Sequence, residues 1–256
     1  MAAASDQTLR RVATAFIDQI AAVIPDATRL GSAQLPASTA REQCGQVLFL
    51  LTDALQTVDC PSNTRPGSLS DHLADRHHAE KAIRDVIRSV IGHDTADLLM
   101  PQARRLLIDL RARLLTQPVP AIVESLFGTV RFVDYLRGAL VEAVALGLRF
   151  RCEVLPVAAS ESARALATVL TARHPGGAIE LRVPPAVAVQ LGAFGEGPQH
   201  TRGTPPNVVE TDAVTFVALA TGLREYGGEL ARHTVSASGA HAGAVARMLP
   251  VINLMR

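Results

Sequence analysis

Apolar residues return at spacings of three and four through Leu9, Val12, Ala13, Phe16, Ile17, Ile20 and Val23. That period lays one apolar stripe along a helix, so residues 6–24 are expected to be helical, with Ser5 as the cap. Residues 25–37 contain Pro25, Gly31 and Pro36 and read as a loop. Thr39 with Glu42 then gives a capping-box pattern, opening a second helix through Cys44, Val47, Leu48, Leu51 and Leu55. A third helix starts near Ser68, past the breaker run from Pro61 to Gly67, and carries Leu69, His72, Leu73, Ile83, Val86, Ile87 and Val90. Residues 94–116 add further helix, interrupted at Pro101 and ended by Pro118 and Pro120. The stretch from Val130 to Leu148 is the last helix of this half. With no strand-like alternation, the half reads as a helical bundle.

The period changes after Pro156. A helix from Ser160 or Ser162 through Leu170 ends at His174-Pro175-Gly176-Gly177, and Ile179, Leu181 and Val183 then alternate in the manner of a strand. Pro184-Pro185 places a bulge, turn or edge before a second strand, Val187 to Leu191. Val208 and Val209 make another short strand, and Asp212 is placed to cap a helix through Phe216 and Ala220. A short helix around Arg224 to Arg232, a strand from Thr234 to Ser238 and a closing helix over 240–254, with a kink at Pro250, complete the chain. The expected class is α+β. A bundle over residues 1–153 is followed by an α/β domain over residues 156–256.

Composition narrows the function more than the fold. The 256 residues are 48% hydrophobic and 19% charged, with 25 basic against 24 acidic side chains for a net charge of +1. Such a balance gives no long-range pull on a polyanion, so nucleic acid is not an expected partner. Apolar runs such as Val47 to Leu51 are far too short to span a membrane. The start, Met1-Ala2-Ala3-Ala4-Ser5-Asp6, lacks the basic region of a signal peptide, and a cytoplasmic location is expected. Cys44, Cys60 and Cys152 are odd in number and lack CxxC spacing, which predicts reduced, small, packed residues.

Two stretches concentrate candidate chemistry. From Gly138 to Leu148 the predicted helix is apolar all round except for Glu142. A lone carboxylate there must be protonated, paired or metal-bound, and Arg76, Arg84 and Arg137 are the candidate partners for an ion pair. The second stretch, His200 to Asp212, packs an imidazole, a guanidinium, two carboxylates, an amide and the pair Pro205-Pro206 into one loop. The prolines fix φ and stiffen the segment, so its polar groups are held either for a ligand or to satisfy a buried crossover. Candidate ligand contacts are Arg202, His200, Asn207, Glu210, Phe216 and Met248, and His200 and Arg202 are also the catalytic candidates. Arg202 has two options: an internal pair with Glu210 or Asp212, or a clamp on an anionic head group. No serine or cysteine nucleophile motif, P-loop or dinucleotide fingerprint is present.

With its flanks, Ala178 to Val189, Val214 to Gly222 and Thr234 to Gly239, the loop resembles the C-terminal domain of actinobacterial proteins described as bacterial orthologues of sterol carrier protein. The resemblance implies a sheet whose helices enclose an apolar tunnel, with Phe194, Phe216, Leu219, Met248, Leu249 and Ile252 as candidate lining. The first half resembles the N-terminal domain of mycothiol-dependent maleylpyruvate isomerase, a DinB-like bundle. That resemblance implies a divalent metal and mycothiol as cofactors, with His72 in Ser68-Leu69-Ser70-Asp71-His72 and Glu142 as metal ligands. Where the family has a second histidine four residues after the glutamate, this chain has Leu146, which cannot ligate. The site is therefore expected to be a remnant holding no metal, and no cofactor is expected.

Three classes of function follow. One is a carrier or sensor for a small apolar or amphipathic molecule. The second is an isomerase-like enzyme acting on a thiol adduct or small dicarboxylate, with Arg202 gripping a carboxylate and His200 as general acid or base. The third is a structural or interaction module. Leu146 counts against the metal enzyme and the polar loop against a purely structural role, which leaves ligand binding as the expectation.

Overall fold

The computed structural model describes residues 2–25, 36–192 and 207–254. The chain divides into two compact units, Met1–Ala158 and Ala159–Arg256. No helix among the described residues is long and apolar enough to cross a membrane.

The first unit is built on α1 (Ala2–Val23), α2 (Ala37–Val58), α3 (Leu69–His78), α4 (Glu80–Ile91), α5 (Ala96–Thr116) and α6 (Phe132–Arg149). The apolar stripe of α1 is buried, Phe16, Ile17 and Ile20 completely, and it packs on α5 and α6. In turn α2 packs on α5, α6 and α4, and α3 packs on α6. Ser68 caps α3 through a reciprocal box, accepting from Asp71 N while the Asp71 carboxylate accepts from Ser68 N. The long third helix expected from Ser68 is two helices, broken at Ala79.

Four further local expectations are corrected. At α2 no side chain caps the start, because the helix opens at Ala37 directly after Pro36, and Glu42 instead accepts from Arg149 at 2.7 Å. Pro101 does not interrupt α5: Pro101 and Asp97 both face solvent, so water can serve the carbonyl that the proline cannot. Cys60 is exposed, whereas Cys44 is buried, its thiol pushed up to about 11 by burial and by the charge of Asp97. The half expected to be wholly helical also contains a hairpin of β1 (Ile122–Ser125) and β2 (Gly128–Arg131), so Val130 is a strand residue and α6 begins only at Phe132. Pro61 bridges to Val123 and Gly67 to Val130, so the breaker run borders this hairpin.

The second unit opens with most of α7 (Pro156–Arg173), which starts at the proline rather than at Ser160 or Ser162. Then come β3 (Ile179–Val183), β4 (Val187–Leu191), β5 (Asn207–Thr211), α8 (Ala213–Ala220), α9 (Tyr226–Ala231) and β6 (Val235–Ser238). The sheet order is β4-β3-β5-β6, with β3 parallel to β5 and the other pairs antiparallel. Pro184 and Pro185 form the β3–β4 turn around a cis peptide bond, with Ala186 N donating to Val183 O at 2.8 Å. Asp212 caps α8 by accepting from Thr215 N at 2.9 Å.

The closing α-helix expected over 240–254 is not formed. Ala242–Arg247 is a 3₁₀ turn, and the peptide bond from Leu249 to Pro250 is cis. A proline lacks the donor a helix needs at that place and disfavours helical geometry at Leu249. The segment instead gives its donors to the end of α8: Val251 N and Ile252 N reach Ala220 O at 2.9 and 3.0 Å, and Leu254 N reaches Thr221 O at 3.0 Å.

Candidate functional site

The chemistry of the first unit gathers where α2, α3 and α6 meet. Arg76 leaves α3 one turn after His72 and is only 2% exposed. Its Nε and Nη2 form a two-pronged pair with Glu142, Nη2 lying 2.9 Å from Oε2, and its Nη1 donates to Asp53 Oδ2 at 2.8 Å. The Tyr135 hydroxyl donates to the same Asp53 oxygen at 2.9 Å. Phe49 and Phe127 flank the guanidinium, which lies 5.8 and 5.0 Å from their ring centres. Burial alone would lower the proton affinity of Arg76, but Glu142 and Asp53 outweigh it and the net shift is upward. Burial, reinforced by Asp53, likewise pushes the Tyr135 hydroxyl well above its ordinary value, so it remains a donor.

His72 stands beside this cluster without joining it. Neither ring nitrogen has a hydrogen-bond partner among the described residues, and the ring sits between Phe127 and Tyr135, with centres 6.0 and 5.8 Å away. Gly138 on α6 makes room for it, since a Cβ there would lie 3.2 Å from His72 Cδ2. Burial first, then the positive charge of Arg76, lowers the His72 pKa to about 4, so the ring is neutral near pH 7.

These neighbours decide whether the residues fit a divalent metal, and they do not. Both oxygens of Glu142 are directed at Arg76, His72 is walled in by rings, and Leu146, one turn after Glu142, offers no donor atom. Among the described residues no three His, Cys, Asp or Glu side chains are grouped to hold an ion. The positive charge between the carboxylates is a guanidinium. Sequence reasoning named Arg76 as one of three partners for Glu142 but missed Asp53 and Tyr135. The signal for Asp53 was its place on the buried side of α2, four residues after Phe49 and one before Ala54.

In the second unit the candidates separate. His200, Arg202 and Phe194 lie outside the described residues. Asn207, expected as a ligand contact, is engaged at both polar ends: Nδ2 donates to Ala178 O and Oδ1 accepts from His241 N, each at 2.8 Å. It ties β5 to the segment before β3 and to the chain after β6. Glu210 points outward beside its cross-strand neighbour Arg182, at 4.0 Å, and Asp212 is used as the α8 cap. Phe216 and Met248 are buried apolar residues, as are Leu219 and Ile252. Sequence reasoning also missed Glu229, 1% exposed, whose carboxyl is held below its usual range chiefly by the hydroxyl of Thr234 and also by Arg232 and Arg224.

Residues 157–251 match the family model described as bacterial SCP ortholog, the sterol carrier protein type. Two solved structures of mycothiol-dependent maleylpyruvate isomerase, one a histidine-to-alanine mutant, align with 91% of this chain and 91% of their own, at 15% identity and a TM-score of 0.43. No curated protein sequence matches the chain.

Proposed function

We propose that the protein is a carrier or sensor whose second unit holds a small apolar or amphipathic molecule. The observation that carries this reading is the match of residues 157–251 to the bacterial sterol-carrier family. Phe216, Leu219, Met248 and Ile252, which are buried apolar residues, are proposed as the lining against the apolar body. Arg202 is proposed as the contact for an anionic head group. A guanidinium next to Gly203, which permits close backbone approach, and before Pro205-Pro206 has a carboxylate or phosphate as its natural partner.

Native mass spectrometry of the protein purified from its own host is the first test, with a retained small molecule as the expected result. The second uses Arg202→Lys and the molecule so found. A clamp predicts affinity weaker by about 1–3 kcal/mol with folding retained. A lowered melting temperature with unchanged affinity would show that Arg202 is structural instead.

A further inference from the structure

A groove of about 270 Å³ runs between α2 and α4 in the first unit and carries both halves of an amphipathic binding site. Its apolar half is formed by Leu48, Phe49, Val86, Val90 and Leu126. Val86, Val90 and Leu126 are 52%, 74% and 67% exposed, so three of the large apolar side chains left in solvent among the described residues gather at this one groove. The two helices touch at Gly45, where a Cβ would lie 2.8 Å from Ile87 Cγ2.

The polar half is Asp53, two turns further along α2 and also on the groove wall. Its Oδ2 serves Arg76 and Tyr135, but Oδ1 is buried and has no hydrogen-bond partner among the described residues. Buried polar atoms are nearly always partnered, so this oxygen, on a side chain that lines the groove, needs a donor that the described residues do not supply. The charge selects the kind of donor. One guanidinium, Arg76, faces two carboxylates, Asp53 and Glu142. The nearby Glu80 has its own cation in Arg84 at 2.6 Å. Two carboxylates to one guanidinium leave one formal negative charge over, which favours a cation and opposes an anion.

We propose that this groove binds a small cationic amphiphile, an amine with an apolar tail. Its ammonium group donates to Asp53 Oδ1, and its tail lies along Val86, Val90 and Leu126. The site is separate from the second unit and takes the opposite charge of head group from the ligand proposed there.

The test is calorimetric titration of the full chain with octylammonium, octanol and octanoate, which share a tail and differ in head group. Octylammonium is expected to bind about tenfold or more tighter than octanol, the difference a charge-assisted hydrogen bond makes. Val90→Arg changes an exposed position, so the fold is retained while the groove mouth gains bulk and positive charge. It should reduce octylammonium binding at least about tenfold and leave any octanoate binding unchanged. Asp53→Asn, confirmed as folded by circular dichroism, should bring octylammonium down to the octanol level. The proposal is overturned if octylammonium does not bind, if it binds no better than octanol, or if Val90→Arg leaves its affinity unchanged. Failure of octanoate alone bears on the second unit and not on this groove.

Discussion

Removing the Arg76 guanidinium should destabilise the first unit far more than removing an average side chain. Arg76→Met keeps an apolar stem of similar length but withdraws three hydrogen-bonding nitrogens, leaving Asp53 and Glu142 facing each other. Asp53 has 2% of its side chain exposed and recovers little of the loss from water, whereas Glu142 has 19% and recovers part of it. Deleting one partner of a buried pair costs about 3–5 kcal/mol. The exposure of Glu142 places the expected loss nearer the lower figure. For a unit of 158 residues, an unfolding entropy of ~2.1 cal/mol/K per residue gives ~0.33 kcal/mol/K, so the melting point should fall by about 9–15 °C. Urea unfolding of the full chain by circular dichroism gives the free energy, and hydrogen exchange assigns the loss to peptides of α2, α3 and α6. The triple variant with Asp53→Asn and Glu142→Gln removes the stranded charges as well and should regain much of the loss. A loss below about 1 kcal/mol for Arg76→Met, or no recovery in the triple variant, would mean that the cluster is not the electrostatic centre of the bundle.

Three further outcomes are expected. His72 has a folded pKa of about 4 against an ordinary 6.5, so between these values the unfolded chain binds a proton that the folded chain does not. The stability contribution is complete above about pH 6.5 and falls as the pH drops towards 4, by up to about 3 kcal/mol; urea titrations near neutrality and near about pH 4.5 should show a smaller acid loss in His72→Leu, and an identical loss would rule His72 out as its source. Asn207→Ala strands the buried carbonyl of Ala178 and the amide of His241 and should cost about 2 kcal/mol or more, read from the unfolding midpoint, with a change below about 0.5 kcal/mol counting against the bracket. Residues 156–256, which include the whole of α7 and the four-stranded sheet, should fold when expressed alone; a fragment without cooperative unfolding would show that the two units share one core.

The sequence by itself determined the elements whose signal is local. The stripe of α1, the start of α3 near Ser68, the alternation of β3 and the cap at Asp212 rest on residues only a few positions apart, and all are present. The sequence also marked Glu142 as a carboxylate needing a partner, because an all-apolar surround implies burial whatever the fold. It could not choose among Arg76, Arg84 and Arg137, since that choice depends on how α3 meets α6 across 66 residues of chain. The β1–β2 hairpin was invisible because its strands are four residues each, too short for alternation to stand out from the helices around them. Yet tertiary structure uses its turn to bring Phe127 over Arg76 and to set Leu126 at the groove beside Asp53. Asn207 shows the same limit. Its amide marked it as polar and held, but only the neighbouring strand carbonyl and the chain beyond β6 decided that it is held by the protein. Burial and pairing are properties of the folded surround, and a side chain's chemical type fixes only what it needs there.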